Sequence, residues 1–272
     1  MKYKAIVFDV DGTLVPQSEN IIRKEVLEAL KKAQRQGLKV VIATGRSYFA
    51  LDKNLLGGFR ADYYICANGA QIVDSRGRTI AAQTMSEQEM YALVDYFEDF
   101  DYPLAFCFSD GYYIYVEHEG MHRAFGYDPV KTKYLKDGED QDRHLESMPF
   151  GAVGILPTEA EKGFVERYGY LELRMVAYEP GFYDIILPGI NKAVGLSKLM
   201  EKTGWKAEEL ASAGDNDNDL EMLALTGLSY AMANGSEAAR KTAKFLAPSV
   251  EENGACWVIQ QVLDQQTAPD IE

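Results

Sequence analysis

The sequence lacks the features that mark a secreted, disulfide-bonded protein. Its 272 residues include only three cysteines, Cys66, Cys107 and Cys256. Their number is odd, their spacing is irregular, and no signal peptide is apparent at the start of the sequence. Because disulfide frameworks belong to oxidising compartments, we expect reduced structural thiols in a cytoplasmic protein.

Long apolar runs and an excess of basic charge are also missing. No apolar stretch approaches the roughly 20 residues of a membrane-spanning helix, so no membrane span is expected. The formal net charge of -14 argues against nucleic acid or an anionic membrane as a partner, because both attract basic surfaces. There is no low-complexity tract and no repeat at solenoid spacing. With 47% apolar residues, the chain is long enough for about two domains.

The most informative feature that is present is an apolar run that ends in two carboxylates and a glycine. Residues 4–9 have the composition of a buried strand, and Asp11 and Gly12 follow closely. Because side chains alternate along a strand, Asp9 and Asp11 project to the same side where the strand ends. This pattern predicts a paired-carboxylate site at the carboxyl edge of a sheet, where open α/β folds bind ligands. The plain alternative is a solvated turn, since Asp and Gly are common turn residues.

Three further segments place polar groups in comparable positions. A second apolar strand, 38–43, ends in Thr44 and Gly45, which supply a hydroxyl and an approachable backbone. A third apolar strand runs into the acidic segment 214–219. Lys192 opens a segment with helical periodicity, where a cation opposes the helix dipole. Its position therefore indicates a role other than stabilising that helix.

Neither acidic segment has the pattern of an EF-hand calcium loop. That loop needs Gly at position 6 and Glu at position 12. Counted from Asp9, position 12 is Asn20, and counted from Asp215 it is Thr226; neither segment has Gly at position 6. The usual calcium loop is therefore excluded. Capping of a helix N-terminus is the plain alternative for Asp217.

In chain order, these segments resemble the signature motifs of the haloacid dehalogenase superfamily of phosphotransferases, and in particular its Cof-type subfamily with a type IIB cap. The motifs are Asp9-x-Asp11-Gly12-Thr13-Leu14, Thr44-Gly45-Arg46, Lys192 and Gly214-Asp215-x-x-Asn218-Asp219. The likeness extends to Asn68-Gly69-Ala70 and Ala233-Asn234-Gly235, and it is weak in the middle of the chain. One departure is Ala193, where family members usually carry Gly. We expect this change to alter helix packing and to leave the chemistry intact.

The resemblance implies a phosphatase that forms an aspartyl-phosphate intermediate. Asp9 would be the nucleophile, and Asp11 would act as general acid and then as general base. Thr44, Gly45 and Lys192 would hold the non-bridging oxygens of the phosphoryl group, with Thr44 and Lys192 also counted as catalytic. Charge neutralisation and positioning are what phosphoryl transfer requires of a protein.

A metal ion completes the implied site. Its ligands would be Asp9, the backbone carbonyl of Asp11, and Asp215, while Asn218 and Asp219 would orient Asp215 and the lysine. Without a cation, clustered carboxylates in a partly dehydrated cleft shift their pKa values and lose their charge. Mg²⁺ suits such a site because it accepts one or two carboxylates, waters and a phosphate oxygen.

The order of the elements predicts an α/β fold. Toward the start of the chain we expect strand 4–9, helix 20–36, strand 38–43, helix 46–56 and strand 63–67. This alternation is typical of a parallel sheet. We predict a Rossmann-like parallel-sheet core formed by 1–83 and 188–272, with 84–187 inserted as an α/β cap that contains an antiparallel sheet. Within the insert, Ser86-x-x-Glu89 predicts a helix start and Asp110-Gly111 a hairpin.

The predicted cap carries no motif that names a substrate. The residues that could bind the part of a substrate away from its phosphate are Arg123, Lys131, Lys133, Arg143 and His144. Of these we select Arg143 and His144. Most such charges lie on a solvated face, which is the alternative for each of them. His118 and His122 have the spacing of zinc ligands on a helix, but no third ligand follows, so a metal site is not favoured.

These patterns predict a Mg²⁺-dependent phosphatase that hydrolyses small phosphorylated metabolites such as sugar phosphates. We expect a monomer or small homo-oligomer with no nucleic-acid or membrane partner. Two alternatives stay open. A phosphomutase of the same fold would return the phosphoryl group to a reoriented substrate, and a catalytically silent regulator would only bind the metabolite. The intact set of Asp9, Asp11, Lys192 and Asp215 argues against the silent regulator.

Overall fold

The computed structural model describes residues 2–129 and 132–267. The strands are β1 (Ala5–Phe8), β2 (Lys39–Ala43), β3 (Tyr63–Cys66), β4 (Gln71–Asp74), β5 (Thr79–Ala82), β6 (Leu104–Cys107), β7 (Tyr112–Val116), β8 (Leu135–Asp137), β9 (Gly151–Ile155), β10 (Arg174–Glu179), β11 (Phe182–Ile186), β12 (Leu210–Gly214), β13 (Leu228–Met232) and β14 (Phe245–Ala247). The helices are α1 (Lys24–Arg35), α2 (Glu87–Asp99), α3 (His118–Ala124), α4 (Thr158–Tyr168), α5 (Lys192–Thr203), α6 (Leu220–Leu225), α7 (Glu237–Thr242) and α8 (Gly254–Thr267).

The chain divides into two compact units. One takes in the chain up to Ala81 and from Asn191 onward, and the other runs from Ala82 to Ile190. The predicted insert, 84–187, lies within the second unit, and its role as a cap is a proposal taken up below. Across the described residues, no helix combines the length and apolar character needed to cross a membrane.

The first unit is built on an eight-stranded sheet with the order β14-β13-β12-β1-β2-β3-β4-β5. Neighbouring strands from β14 to β3 run parallel, and β4 turns back antiparallel to β3. The strand order changes direction at β1, which lies between β2 and β12: β2 to β5 follow on one side, and β12 to β14 follow on the other. Ligands bind at such a switch point in open α/β sheets.

The register of β1 determines which polar residues meet at its carboxyl end. Phe8 lies opposite Ile42 on one side and Ala213 on the other. The residues that follow Phe8 therefore emerge beside the ends of β2 and β12. This pairing brings Asp9 next to the Thr44 loop and the acidic segment 214–219.

Apolar side chains cover both faces of this sheet. Ile6 and Phe8 on one face pack in a cluster with buried residues of α1 and α8. Ala5 and Val7 on the opposite face pack with buried residues of α5 and α6. Each helix thus buries an apolar stripe against a strand surface that is apolar on both sides, as parallel sheets require. The site at the strand ends rests on this three-layer core.

The second unit has a six-stranded sheet with the order β10-β11-β9-β6-β7-β8. All the adjacent pairs are antiparallel except β7 and β8, which run parallel. Ser86 caps α2 through the predicted capping box with Glu89. The predicted α/β fold, with a parallel-sheet core and a second, mostly antiparallel sheet, is confirmed.

Some predicted elements differ from those observed. The predicted helix 46–56 is wrong: only a single 3-10 turn, Tyr48–Ala50, forms there. The Asp52 carboxylate accepts hydrogen bonds from the backbone N–H groups of Asn54 and Leu55, each at 2.9 Å. Such side-chain capping of the backbone competes with continued helix, and a helix is not formed. Helix α1 also begins at Lys24 rather than at residue 20.

Two elements of the second unit are missed by the sequence analysis. Helix α3 has 7 residues and β8 has 3, so neither gives a periodic pattern long enough to detect. Glu117, at the N-terminal end of α3, has a left-handed conformation with φ of 53°, and no side-chain cap marks the helix start. The absence of a capping residue explains why the helix has no sequence signal.

Candidate active site

The centre of the candidate site is a buried lysine held between two carboxylates. Lys192 Nζ donates to Asp9 Oδ1 at 2.6 Å and to Asp219 Oδ1 at 2.7 Å. Lys192 is 1% exposed and Asp219 is fully buried. Although burial acts against the charged form, Asp219 and Asp9 raise the pKa of Lys192. The lysine therefore stays a cation at the first turn of α5, and it links β1 to the acidic segment.

Asp219 organises the loop that follows β12. Its Oδ2 accepts hydrogen bonds from the backbone N–H groups of Asp215, at 2.9 Å, and Asn216, at 3.1 Å. Its Oδ1 is already engaged by Lys192. Both oxygens of Asp219 are thus used within the protein, and its role in orienting Asp215 and Lys192 stays a prediction.

Asp215 projects into the same site from the end of β12. Its Oδ1 accepts a hydrogen bond from the Thr13 hydroxyl at 2.8 Å. Gly12 has a φ of 85°, and a Cβ added there would lie 2.2 Å from Asp215 Oδ2. The Asp-Gly-Thr sequence after β1 is therefore explained by Asp215, because a side chain at position 12 would displace this carboxylate.

Three carboxylates converge with too few cations to balance them. Ligand oxygens of Asp9, Asp215 and Asp219 lie within 4.8 Å of one another. Burial raises the pKa of Asp9 well above its ordinary value, and the charges of Asp219 and Asp215 add to this effect against that of Lys192. Burial likewise raises the pKa of Asp215 to about 6. The cluster has the electrostatics of a cation site, since a bound cation would favour the ionised carboxylates.

Asp11 lies beside the cluster and is paired with an arginine. Arg46 donates to both of its carboxylate oxygens, from Nε to Oδ2 at 2.8 Å and from a terminal nitrogen to Oδ1 at 2.7 Å. Both side chains are about half exposed, so the pair is screened by water and weak enough to open. The sequence analysis did not predict this pairing, because nothing in either motif specifies the partner.

The Thr44-Gly45 segment is held by hydrogen bonds to β3 and within its own loop. The Thr44 N–H donates to the Ile65 carbonyl at 2.8 Å, and the Thr44 Oγ1 accepts from the Arg46 N–H at 3.1 Å. Thr44 is 1% exposed. The space above the Gly45 Cα is occupied by the Asn68 side-chain amide. Gly45 therefore presents its backbone at the edge of the sheet where Asp9 lies.

Two asparagines make contacts that the sequence analysis did not identify. Asn218 donates from Nδ2 to Asn68 Oδ1 at 3.3 Å, and its role in orienting Asp215 and Lys192 stays a prediction. Asn234 donates to the Gly12 carbonyl at 2.9 Å and accepts from the Val250 N–H at 2.8 Å. Asn234 lies in the Ala-Asn-Gly segment of the resemblance, which was the available signal for it. Its role is to hold the turn that follows Asp11.

The selected cap residues Arg143 and His144 are both engaged within the second unit. The Arg143 guanidinium lies 4.9 Å from the Phe108 ring centroid and pairs with Asp110 at 3.2 Å. The arginine side chain is 14% exposed. His144 Nε2 lies 2.9 Å from the Tyr91 hydroxyl. These contacts give both residues a packing role, and their role in substrate binding stays a prediction.

The other basic candidates of the second unit add little to the site. Lys131 lies outside the described residues, and Arg123 is exposed at the end of α3. His118 and His122 do lie on one helix, with ring centroids 4.8 Å apart. The described residues place no third His, Cys, Asp or Glu ligand with them.

A sequence profile of the haloacid dehalogenase-like hydrolases matches residues 6–259, which is nearly the whole chain. The chain is a haloacid dehalogenase-like hydrolase. This hydrolase is 29% identical over 266 residues to the putative phosphatase YkrA of Bacillus subtilis, a match that covers 96% of this chain and 98% of the relative. It is 24% identical to 5-amino-6-(5-phospho-D-ribitylamino)uracil phosphatase YbjI of Escherichia coli, with 99% and 100% coverage.

Solved structures give the same result for the hydrolase. The structure of BT1666 from Bacteroides thetaiotaomicron, a phosphatase of the same superfamily, superimposes with a TM-score of 0.82 at 26% identity. The match covers 95% of this chain and 94% of that one. The predicted membership of the Cof-type phosphatases is confirmed, and the hydrolase is a phosphoric monoester hydrolase that acts on phosphorylated small molecules.

Proposed function

We propose that this hydrolase is a Mg²⁺-dependent phosphatase that transfers the phosphoryl group of a small metabolite to Asp9 and then to water. The observation that carries the proposal is the position of Asp9. It is a buried carboxylate at the end of the central strand, bonded to Lys192 at 2.6 Å and surrounded by Asp215 and Asp219. A buried nucleophile with a cation beside it is what an aspartyl-phosphate mechanism needs.

The donor set at this edge fits Mg²⁺. Because both oxygens of Asp219 are engaged within the protein, the carboxylates left for a metal are those of Asp9 and Asp215, together with the backbone carbonyl of Asp11. Oxygen ligands with one or two carboxylates are the Mg²⁺ preference. When bound, the ion would supply charge neutralisation for the phosphoryl oxygens.

Lys192 and the Thr44-Gly45 segment would hold the phosphoryl group in line with Asp9. The lysine supplies a permanent positive charge, and the adjacent strand end supplies the Thr44 hydroxyl and the Gly45 backbone N–H. Phosphoryl transfer depends mainly on such positioning and on electrostatic stabilisation.

Chemistry would begin with attack of an Asp9 oxygen on phosphorus, which breaks the bond to the leaving oxygen. Asp11 donates a proton to that oxygen as the alcohol departs. Water then attacks the phosphorus of the intermediate, Asp11 takes its proton, and phosphate leaves with Asp9 restored. A carboxylate that accepts two hydrogen bonds from Arg46 has no proton to give. The Arg46 pair therefore has to open before the first step.

The second unit is proposed to select the substrate, with 84–187 as the cap. The core motifs are concerned only with the phosphoryl group and the metal, so discrimination among leaving groups has to come from elsewhere. YbjI, YcsE and YwtE are each named for 5-amino-6-(5-phospho-D-ribitylamino)uracil, a phosphate ester on a sugar-alcohol chain. That compound belongs in a panel with sugar phosphates and nucleotides.

The proposal is tested by phosphate release from an aryl phosphate and from the panel. EDTA should abolish turnover, and added Mg²⁺ should restore it. Asp215→Asn keeps the acceptor for Thr13 but removes a ligand charge, so it should require roughly tenfold or more Mg²⁺ for half-maximal activity. Asp217→Asn changes an exposed aspartate of the same loop and serves as the matched control. Full activity in excess EDTA would contradict the proposal, and retention of phosphate on a rearranged product would indicate a mutase.

A further inference from the structure

The turn that follows β3 has an unusual backbone. Ala67, Asn68 and Gly69 have successive φ values of 49°, 52° and 107°. Left-handed residues other than glycine are uncommon, and such strain concentrates at functional sites. Asn is one of the few side chains that tolerates this region. The conformation of the turn therefore explains part, but only part, of the choice of Asn at position 68.

Backbone hydrogen bonds attach this turn to the candidate phosphate site. The Asn68 N–H donates to the Thr44 carbonyl at 3.1 Å, and the Ala67 N–H donates to the Arg46 carbonyl at 3.0 Å. A Cβ on Gly69 would lie 2.1 Å from the carbonyl oxygen of Asn191, the residue that caps the helix carrying Lys192. The turn thus contacts both the Thr44 loop and the start of α5.

The side-chain amide of Asn68 lies against Gly45. A Cβ at Gly45 would be 3.2 Å from both Nδ2 and Oδ1 of Asn68. The amide therefore borders the same backbone that is proposed to hold the phosphoryl oxygens. Asn68 is 6% exposed, so the group is buried at the margin of the site rather than on the outer surface.

The orientation of this amide leaves a donor unused. Oδ1 accepts from Asn218 at 3.3 Å. Among the residues that the structure describes, none accepts a hydrogen bond from Asn68 Nδ2. The described residues contain no fully buried side-chain nitrogen or oxygen without a partner, so Nδ2 is at least partly accessible to solvent. A side chain more than nine-tenths buried thus presents a free N–H₂ group beside Gly45.

We propose that Asn68 is a further phosphate-binding residue, whose Nδ2 donates a hydrogen bond to a non-bridging oxygen of the phosphoryl group. Asn218 would orient the amide by holding Oδ1. The inference rests on the proposed phosphatase function and adds a donor to Thr44, Gly45 and Lys192. An anionic phosphoryl oxygen is a strong acceptor, and it would satisfy the Nδ2 donor of Asn68, which has no acceptor among the described residues.

Asn68→Gly tests the side chain without disturbing the turn. Glycine adopts the left-handed conformation freely, so the backbone of 67–69 is retained while the amide is removed. The readouts are kcat/KM for an aryl phosphate and the inhibition constant of inorganic phosphate, with the melting temperature measured alongside. We expect phosphate affinity and kcat/KM each to fall by roughly tenfold or more, the effect of losing a hydrogen bond to a charged group.

Asn253→Gly is the matched control, because Asn253 also has a left-handed backbone, with φ of 55°, and follows the turn before α8. It should leave phosphate inhibition unchanged. Asn68→Asp keeps the size and the conformational tolerance but replaces the donor with a carboxylate oxygen, so it should weaken phosphate binding further than Asn68→Gly. The phosphate inhibition constant of Asn68→Asp therefore tests the donor even if glycine loosens the turn.

Two results would overturn the inference. In the first, the wild-type enzyme releases phosphate, yet Asn68→Gly and Asn68→Asp both bind inorganic phosphate as the wild type does; the proposed function then stands and Asn68 is structural. In the second, Asn68→Gly and Asn68→Asp weaken phosphate inhibition equally and lower the melting temperature, which would make the effect a loosening of the turn and not the loss of a donor. Failure of the proposed function looks different, because the wild-type enzyme would then release no phosphate.

Discussion

Two aspartates, one in each unit, show two different electrostatic environments for a carboxylate in this protein. In the second unit, Asp110 receives hydrogen bonds from Lys136, Tyr113 and Arg143 at 2.6, 2.8 and 3.2 Å. Although partial burial opposes them, these bonds hold the pKa of Asp110 at about 2. In the first unit, burial raises the pKa of Asp215 to about 6, and among the described residues only the Thr13 hydroxyl donates to its side chain.

This difference indicates that the Asp110 charge contributes to folding stability and that the Asp215 charge is available for binding a ligand. Asp110 is satisfied by the chain itself, so its network stabilises the second unit without a ligand. Asp215 and Asp9 have too little positive charge around them within the protein, so a bound cation would stabilise their ionised forms. Groups whose pKa is raised by burial and like charges cluster at functional sites for this reason. The comparison supports the proposal that the chemistry takes place in the first unit.

The largest effect should come from Asp9→Asn, which removes the negative charge of the proposed nucleophile in the first unit. An amide is not an anionic nucleophile, so turnover of an aryl phosphate should fall by a factor on the order of 10³ or more. Asp217→Asn in the acidic loop is the control, because its carboxylate is exposed and bonds only Ser236 among the side chains described. Near wild-type turnover by Asp9→Asn would remove the nucleophile from the account.

A smaller effect should appear in folding stability, and its sign should be opposite for the two aspartates. The pKa of Asp215 is about 6 in the folded protein against 3.8 ordinarily, so the folded state binds its proton more tightly. In metal-free protein, the stability difference between wild type and Asp215→Asn should therefore fall by about 2–3 kcal/mol as the pH rises from about 4 to about 7. Urea unfolding in EDTA measures it.

Asp110→Asn supplies the comparison for that experiment. Because the pKa of Asp110 is lowered to about 2, its contribution is present above its ordinary value of 3.8 and is lost as the pH falls toward 2. The stability difference between wild type and Asp110→Asn should accordingly rise with pH, over the acidic range. Mg²⁺ should remove the slope at Asp215 and leave that at Asp110. Equal slopes for both variants would contradict the proposed division.

The smallest effects should come from substitutions in the cap, measured on substrate choice. Replacing polar side chains of 84–187 should change relative kcat/KM among natural phosphate esters by up to about tenfold, and should change aryl phosphate turnover less. Arg143→Lys keeps the charge but loses the planar stacking on Phe108, so its comparison with Arg143→Ala separates packing from substrate contact. A complete scan that leaves the substrate ranking unchanged would show that selection occurs elsewhere.

The sequence was enough to predict the parts of the site that depend on single strands and their ends. Asp9, Thr44 and Asp215 each follow an apolar strand, and parallel pairing brings the ends of adjacent strands together whatever the loops do. Lys192 was found because a cation at a helix start has no local reason to be there. The fold class followed from the same alternation of strands and helices.

The remaining contacts depend on distant parts of the chain that no local pattern specifies. Asn234 bonds Gly12 across 222 residues of sequence, and Arg46 reaches Asp11 across 35. The left-handed conformation of Asn68 follows from contacts with the Thr44 loop rather than from its neighbours. The helix predicted over 46–56 fails for a different reason. Asp52 accepts a local backbone hydrogen bond that competes with a helix, and apolar periodicity does not reveal such a bond.

The central claim, that Asp9 carries the phosphoryl group, is tested most directly by the intact mass of Asp11→Asn after exposure to an aryl phosphate. With a good leaving group, the nucleophile should still react while hydrolysis of the intermediate stalls for lack of the base. The account predicts one added phosphoryl group, located at Asp9 by peptide mapping and absent when Asp9 is also changed to Asn. A phosphoryl group on another residue, or sustained release of phosphate by the Asp9→Asn protein, would contradict it.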